Sequence, residues 1–94
     1  MKILFIGDIV GEPGRRAVEV LVPKIKKREG VEFVVANGEN VAGGSGITPR
    51  LAKDLLDSGV DVITSGDHIW KRKDIIDEIE SQSRLLRPAN YPGE

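Results

Sequence analysis

Three acidic residues and the chain's single histidine stand at recurring places: Asp8 in Gly7-Asp8-Ile9-Val10-Gly11, Glu39 in Asn37-Gly38-Glu39-Asn40, and Asp67 with His68 in Ser65-Gly66-Asp67-His68. Each block directly follows a short apolar run, and each sets a glycine beside the acid. If those runs are parallel strands of one sheet, all three blocks open on the same edge, where ligands bind in open α/β folds. Three carboxylates and an imidazole gathered there would repel one another unless a cation lay among them. Oxygen and nitrogen donors without sulfur suit manganese, iron, magnesium or zinc.

Taken singly, each residue has a plainer use. Asp8 could cap the following helix or hold a turn. Asn37-Gly38 is a turn signal that would leave Glu39 on an exposed turn. Asp67 could be a turn or cap residue, and a lone histidine such as His68 is more often structural or exposed than catalytic. Recurrence at three strand ends favours the shared site over four separate coincidences.

The elements that must position these residues alternate along the chain. Lys2–Gly7 is apolar on both faces and predicts a buried strand. Pro13 suits the first turn of a helix whose stripe is Ala17, Val18, Leu21, Val22 and Ile25, ending at Glu29 with Gly30 as the stop. Pro23 inside that stretch should kink or shorten it. Val31–Ala36 is the second strand. Thr48-Pro49 is a cap and first-turn pair for a helix carrying Leu51, Ala52, Leu55 and Leu56, which Gly59 ends. Val60–Thr64 is the third strand, a helix follows over about 73–80, and Ser83–Arg87 forms a short fourth strand before Pro88 and Pro92. Strand–helix–strand units of this length imply right-handed crossovers and a parallel sheet. The fourth strand would be an open edge, which suggests that more protein follows.

Other features carry less. Gly43-Gly44-Ser45-Gly46 lacks the phosphate-loop lysine, so an entry loop beside the site is the simpler reading. Lys24, Lys26, Lys27 and Arg28 fall in the last turns of the first helix, where they complement its dipole. Lys71, Arg72 and Lys73 follow His68 closely enough to attract phosphate, though exposed helix-entry lysines are commoner. Trp70 is read as packing on the sheet edge.

The 94 residues amount to one domain at most or part of a larger one. Fourteen basic residues against fifteen acidic ones give a net charge of -1 and no bulk attraction to nucleic acid or a membrane surface. The absence of cysteine excludes disulfides, iron–sulfur clusters and thiolate zinc sites, and it agrees with a reducing compartment. The apolar N-terminus is too short to span a bilayer and lacks signal-peptide features, so a cytoplasmic location is expected.

Together, GDIVG at 7–11, NGEN at 37–40, the GGSG loop, SGDHIW at 65–70 and RPANYP at 87–92 resemble the YmdB-like branch of calcineurin-like metallophosphoesterases. Five ordered blocks run over essentially the whole chain, which corresponds to the N-terminal part of the family's usual length. The resemblance implies one half of a metallophosphoesterase four-layer α/β sandwich, with 1–94 the first part of a single domain. It also implies a dinuclear site, typically iron or manganese, that hydrolyses phosphodiesters including 2′,3′-cyclic nucleotides. Carried over by position, Asp8 binds one metal, Glu39 bridges both and Asp67 binds the second. His68 becomes the general acid or a donor to the phosphate, and Asn40 orients the bridging ligand or the substrate. The implied partners are a small phosphodiester, a cyclic nucleotide or an RNA end, and a second copy of the chain.

Three departures stand out. The family has Asn where this chain has Asp67, and an acidic residue where it has Lys71. Its remaining ligands are downstream histidines, and no histidine follows His68. The site expected from this chain is therefore half of one. Two rivals come from other classes: a catalytically incomplete module that associates through its open edge or apolar face, and a flavodoxin-like nucleotide-binding domain, which the missing phosphate loop disfavours.

Overall fold

The computed structural model describes residues 1–42, 46–66 and 82–86. Among them the chain runs β1 (Ile3–Ile6), α1 (Gly11–Glu29), β2 (Phe33–Asn37), α2 (Pro49–Asp57) and β3 (Val62–Thr64). The strands form one parallel sheet in the order β1-β2-β3. Ile3 lies opposite Phe33 and Ile6 opposite Ala36, then Val35 opposite Val62 and Asn37 opposite Thr64. Parallel neighbours need a crossover connection, and each helix supplies one. The α/β repeat expected from the sequence is the one observed.

Helix α1 begins two residues before Pro13, at Gly11, with Val10 in the cap position and no side-chain cap. Glu12 in its first turn and Lys26, Lys27 and Arg28 in its last oppose the helix dipole at both ends. Gly30 closes it in the left-handed conformation, φ 66, with its N–H on the Lys26 carbonyl. Pro23 does not shorten the helix, which continues to Glu29. An interior proline costs about 3 kcal/mol. The turns after Pro23 are held by bonds of their own: Lys26 Nζ donates to the Gly59 carbonyl at 3.2 Å, and the Lys26 carbonyl accepts the Gly30 and Val31 N–H groups.

Helix α2 starts as expected, with the Thr48 hydroxyl accepting the Leu51 N–H at 3.3 Å and Pro49 in the first turn. Ala52 and Leu55 are its buried positions. It ends at Asp57, slightly before Gly59, because the Ser58 hydroxyl donates to the Asp54 carbonyl at 2.8 Å and closes the last turn.

Two strands begin later than their apolar runs. Val31 donates its N–H to the Lys26 carbonyl, which ties it to the end of α1. At the third strand, the Asp61 carboxylate accepts the Val34 N–H at 2.8 Å while the Asp61 N–H donates to the Val34 carbonyl at 2.9 Å. A side chain thus stands in for a ladder acceptor, and regular pairing starts at Val62. Of the expected fourth strand, Leu85 makes a single parallel bridge to Ile63. Arg84 straps this segment down, donating to the Asp61 carbonyl at 2.8 Å and the Val60 carbonyl at 3.0 Å. Arg87 and the helix expected over 73–80 lie outside the described residues.

One expectation fails. The first strand is not buried on both faces: Ile3 is 59% and Phe5 70% exposed, and Phe33 beside them is 38% exposed. Leu4 and Ile6 point the other way, toward Ala17, Val18, Leu21, Val22 and Ile25 of α1. Val34, Ala36 and Ile63 continue that covered face in the core with Ile47 and Leu55. Side chains alternate across a strand, so the two described helices, laid on one face, cover Leu4 and Ile6 but not Ile3 and Phe5.

Candidate functional site

The three strand ends are laced together by main-chain bonds. From the loop after β1, Ile9 donates its N–H to the Asn37 carbonyl at 3.2 Å and Gly11 donates to the Asn40 carbonyl at 3.1 Å. From the loop after β2, Gly38 donates to the Thr64 carbonyl at the end of β3 at 2.9 Å. The Arg15 guanidinium of α1 reaches back to the Val41 carbonyl at 2.6 Å, so the helix holds the same loop from outside. Gly38 sits where a Cβ would stand 2.9 Å from Ile63 Cγ2 and 3.3 Å from Ile47 Cδ1. Only a residue without a side chain lets the loop approach β3 this closely.

This lacing brings Asp8, Glu39 and Asn40 to one edge. Asn40 Nδ2 donates to Asp8 Oδ1 at 2.9 Å, a contact across 32 residues of sequence. Asp8 is not the cap of α1, because that cap position is Val10. Glu39 is half-buried, and Asn37 holds it at both ends: Asn37 Nδ2 donates to its Oε1, and its own N–H donates to Asn37 Oδ1, each at 3.4 Å. The carboxyl group lies against the α carbon of Gly66, where a Cβ would stand 2.6 Å from Glu39 Cδ. Asp67 and His68 follow Gly66 in the chain and lie outside the described residues.

Among the described residues, no three side chains of the usual ligand types gather closely enough to hold a metal ion. What they provide is two carboxylates on adjacent, mutually bonded loops. Hard oxygen donors of this kind fit a divalent cation such as manganese, iron or magnesium. One of those carboxylates, Glu39, packs against the α carbon of Gly66 in space that a Cβ there would fill.

Three contributors carry little signal in the sequence. Asn37 reads there only as half of a turn signal, yet it orients Glu39. Gly66 reads only as a neighbour of Asp67. Arg15 carries no sequence signal at all, since a charged residue early in an amphipathic helix is the ordinary case.

Residues 4–94 match the sequence profile of the family described as YmdB-like protein. The chain belongs to the YmdB-like family. A relative in Bacillus subtilis (strain 168), a 2′,3′-cyclic-nucleotide 2′-phosphodiesterase, is 49% identical over 92 residues, covering 98% of this chain and 35% of its own length. A crystal structure of a novel phosphatase from Mycoplasma pneumoniae matches with a TM-score of 0.91 at 29% identity, over 98% of this chain and 33% of that one. A hypothetical protein from Thermus thermophilus matches with a TM-score of 0.87 at 41% identity, over 98% and 35% respectively. This chain therefore spans about a third of the length of the relatives it matches, and it is homologous to their N-terminal third. Among its described residues no helix is long and apolar enough to cross a membrane.

Proposed function

We propose that residues 1–94 are the first part of one metal-dependent phosphodiesterase domain, and that a downstream part completes both its sheet packing and its site. Asp8 ligates one metal, Glu39 bridges two, and Asp67 ligates the second. Iron or manganese is preferred to magnesium or zinc on the strength of the family resemblance. The carrying observation is the convergence of Asp8, Asn40, Glu39 and Gly66 on one sheet edge, with Asp67 the next residue along.

When bound, a divalent pair supplies Lewis-acid polarisation of the phosphoryl oxygen and lowers the pKa of water. The chain's own residues do the rest. The Asn40 carboxamide donates to one oxygen of Asp8 and the Asn37 carboxamide to one of Glu39, so each carboxylate has an outer partner that helps to orient it. His68 donates its proton to the leaving oxygen, a task for which an imidazole near pH ~6.5 is well matched. The substrate class is a small phosphodiester, with 2′,3′-cyclic nucleotides suggested by the Bacillus subtilis relative. A cytoplasmic place for the reaction rests on the cysteine-free composition.

The test is hydrolysis of bis-p-nitrophenyl phosphate and 2′,3′-cyclic AMP by this chain joined to the downstream two-thirds of the Bacillus subtilis relative, with and without Mn2+. Turnover should require Mn2+ and vanish with Glu39→Gln. His68→Ala should lower the rate by roughly 10²–10⁴ while Mn2+ stays bound. Turnover indifferent to Mn2+ overturns the metal site, and loss of Mn2+ with His68→Ala moves that residue into the ligand set.

The exposed Ile3, Phe5 and Phe33 favour one further reading, a non-enzymatic module that associates through this face. Sedimentation of the 94-residue chain tests this second reading: a compact dimer supports association through the face, and a monomer removes it.

A further inference from the structure

We propose that Gly66 is a positioning residue, whose missing side chain forms the seat that holds the Glu39 carboxylate at the strand ends. This rests on the reading of Glu39 as the bridging metal ligand and adds a residue to it. The contact joins two strand-end loops far apart in sequence, since a Cβ on Gly66 would stand 2.6 Å from Glu39 Cδ and 2.5 Å from Oε2. No two such groups can share that space, so one must give way.

Which one gives way follows from what holds each. The backbone at Gly66 is anchored by its neighbours: the Thr64 carbonyl accepts the Gly38 N–H at 2.9 Å, and the Ser65 hydroxyl donates to the Leu86 carbonyl. The Glu39 backbone is anchored too, through its N–H on Asn37 Oδ1. The Glu39 carboxyl group, to which Asn37 Nδ2 donates at 3.4 Å, is the far end of a flexible side chain that can swing aside while both backbones stay in place. Gly66 is also not among the glycines with positive φ, so alanine suits its backbone. A methyl group at 66 therefore leaves the fold in place and drives the carboxylate off its seat. Glycine is required here for the ligand's position rather than for the turn.

The experiment uses the 94-residue chain. Without metal, the Glu39 carboxyl carbon is followed by 13C NMR, together with the nuclear Overhauser effect between the Gly66 α protons and the Glu39 side chain. Mn2+ affinity is read from the EPR signal of the free ion. The unaltered chain should show the Overhauser contact. Gly66→Ala should move the Glu39 carboxyl resonance and weaken Mn2+ binding about 10- to 100-fold, the usual effect of disturbing a ligand's support. Its melting temperature should stay within a few degrees. Glu39→Asp draws the carboxylate back from position 66, so the double variant should lose less than the product of the two single losses. Absence of the Overhauser contact, or a carboxyl resonance unmoved by Gly66→Ala, overturns the proposal whether or not metal binds. A large fall in melting temperature with the carboxyl resonance unmoved assigns Gly66 a purely structural role and also overturns it. A moved resonance with Mn2+ affinity unchanged by Gly66→Ala upholds the seat and removes Glu39 from the ligand set instead.

Discussion

At the scale of single residues, the site is an arrangement of carboxylates held by amides. The Asn40–Asp8 bond spans 32 residues and is exposed, so its contribution to stability is small, within about 1 kcal/mol. Its value lies in fixing where an oxygen points. Asn40→Ala should leave the melting curve nearly unchanged yet weaken Mn2+ binding by about 10- to 100-fold, measured by titration calorimetry. Equal affinity in the variant would mean that Asp8 needs no orientation. The acids are legible as a set because each follows a strand and stands beside a glycine. Their supports are not. Nothing in the local sequence says that Asn40 reaches back to Asp8, or that Glu39 rests on Gly66, because both contacts exist only after the strands are paired.

At the scale of elements, chain order and helix starts follow from local chemistry, and the boundaries from long-range bonds. Thr48-Pro49 is a cap that works within a single turn, so it can be read directly, and Thr48→Ala should lower stability by about 1 kcal/mol in denaturant unfolding. The late start of β3 cannot be read, since it depends on the Asp61 carboxylate taking the Val34 N–H from another strand. Gly38 belongs to the same class. As part of Asn37-Gly38 it looks like a turn glycine, whereas in the fold it is a clearance between the β2 loop and the core. Gly38→Ala places a methyl 2.9 Å from Ile63 Cγ2, and overpacking of this kind should destabilise the chain by about 1–3 kcal/mol. A neutral result would show that the loop can lift away from β3.

At the scale of the whole molecule, the described helices finish one face of the sheet and leave Ile3, Phe5 and Phe33 exposed on the other. An apolar run such as Lys2–Gly7 reads the same whether its second face is covered by a neighbouring helix or awaits a further layer, which is why the sequence predicts burial on both faces of β1. In the proposed full domain that layer comes from the downstream part, consistent with a chain that spans about a third of its relatives. Phe5, 70% exposed, discriminates. Phe5→Lys should be nearly neutral in the 94-residue chain and cost roughly 3–5 kcal/mol once the downstream part is joined, the range for losing a buried aromatic. Similar effects in both would leave the face without a cover. One cation site shared by the strand ends can be seen by titrating Mn2+ into the 15N-labelled chain and following paramagnetic broadening of its amides. The amides of Asp8, Glu39 and Asn40 should broaden first and together, and Glu39→Gln should remove the effect at all three. Broadening that begins instead at surface acids such as Asp54 and Asp57, and ignores Glu39→Gln, would contradict it.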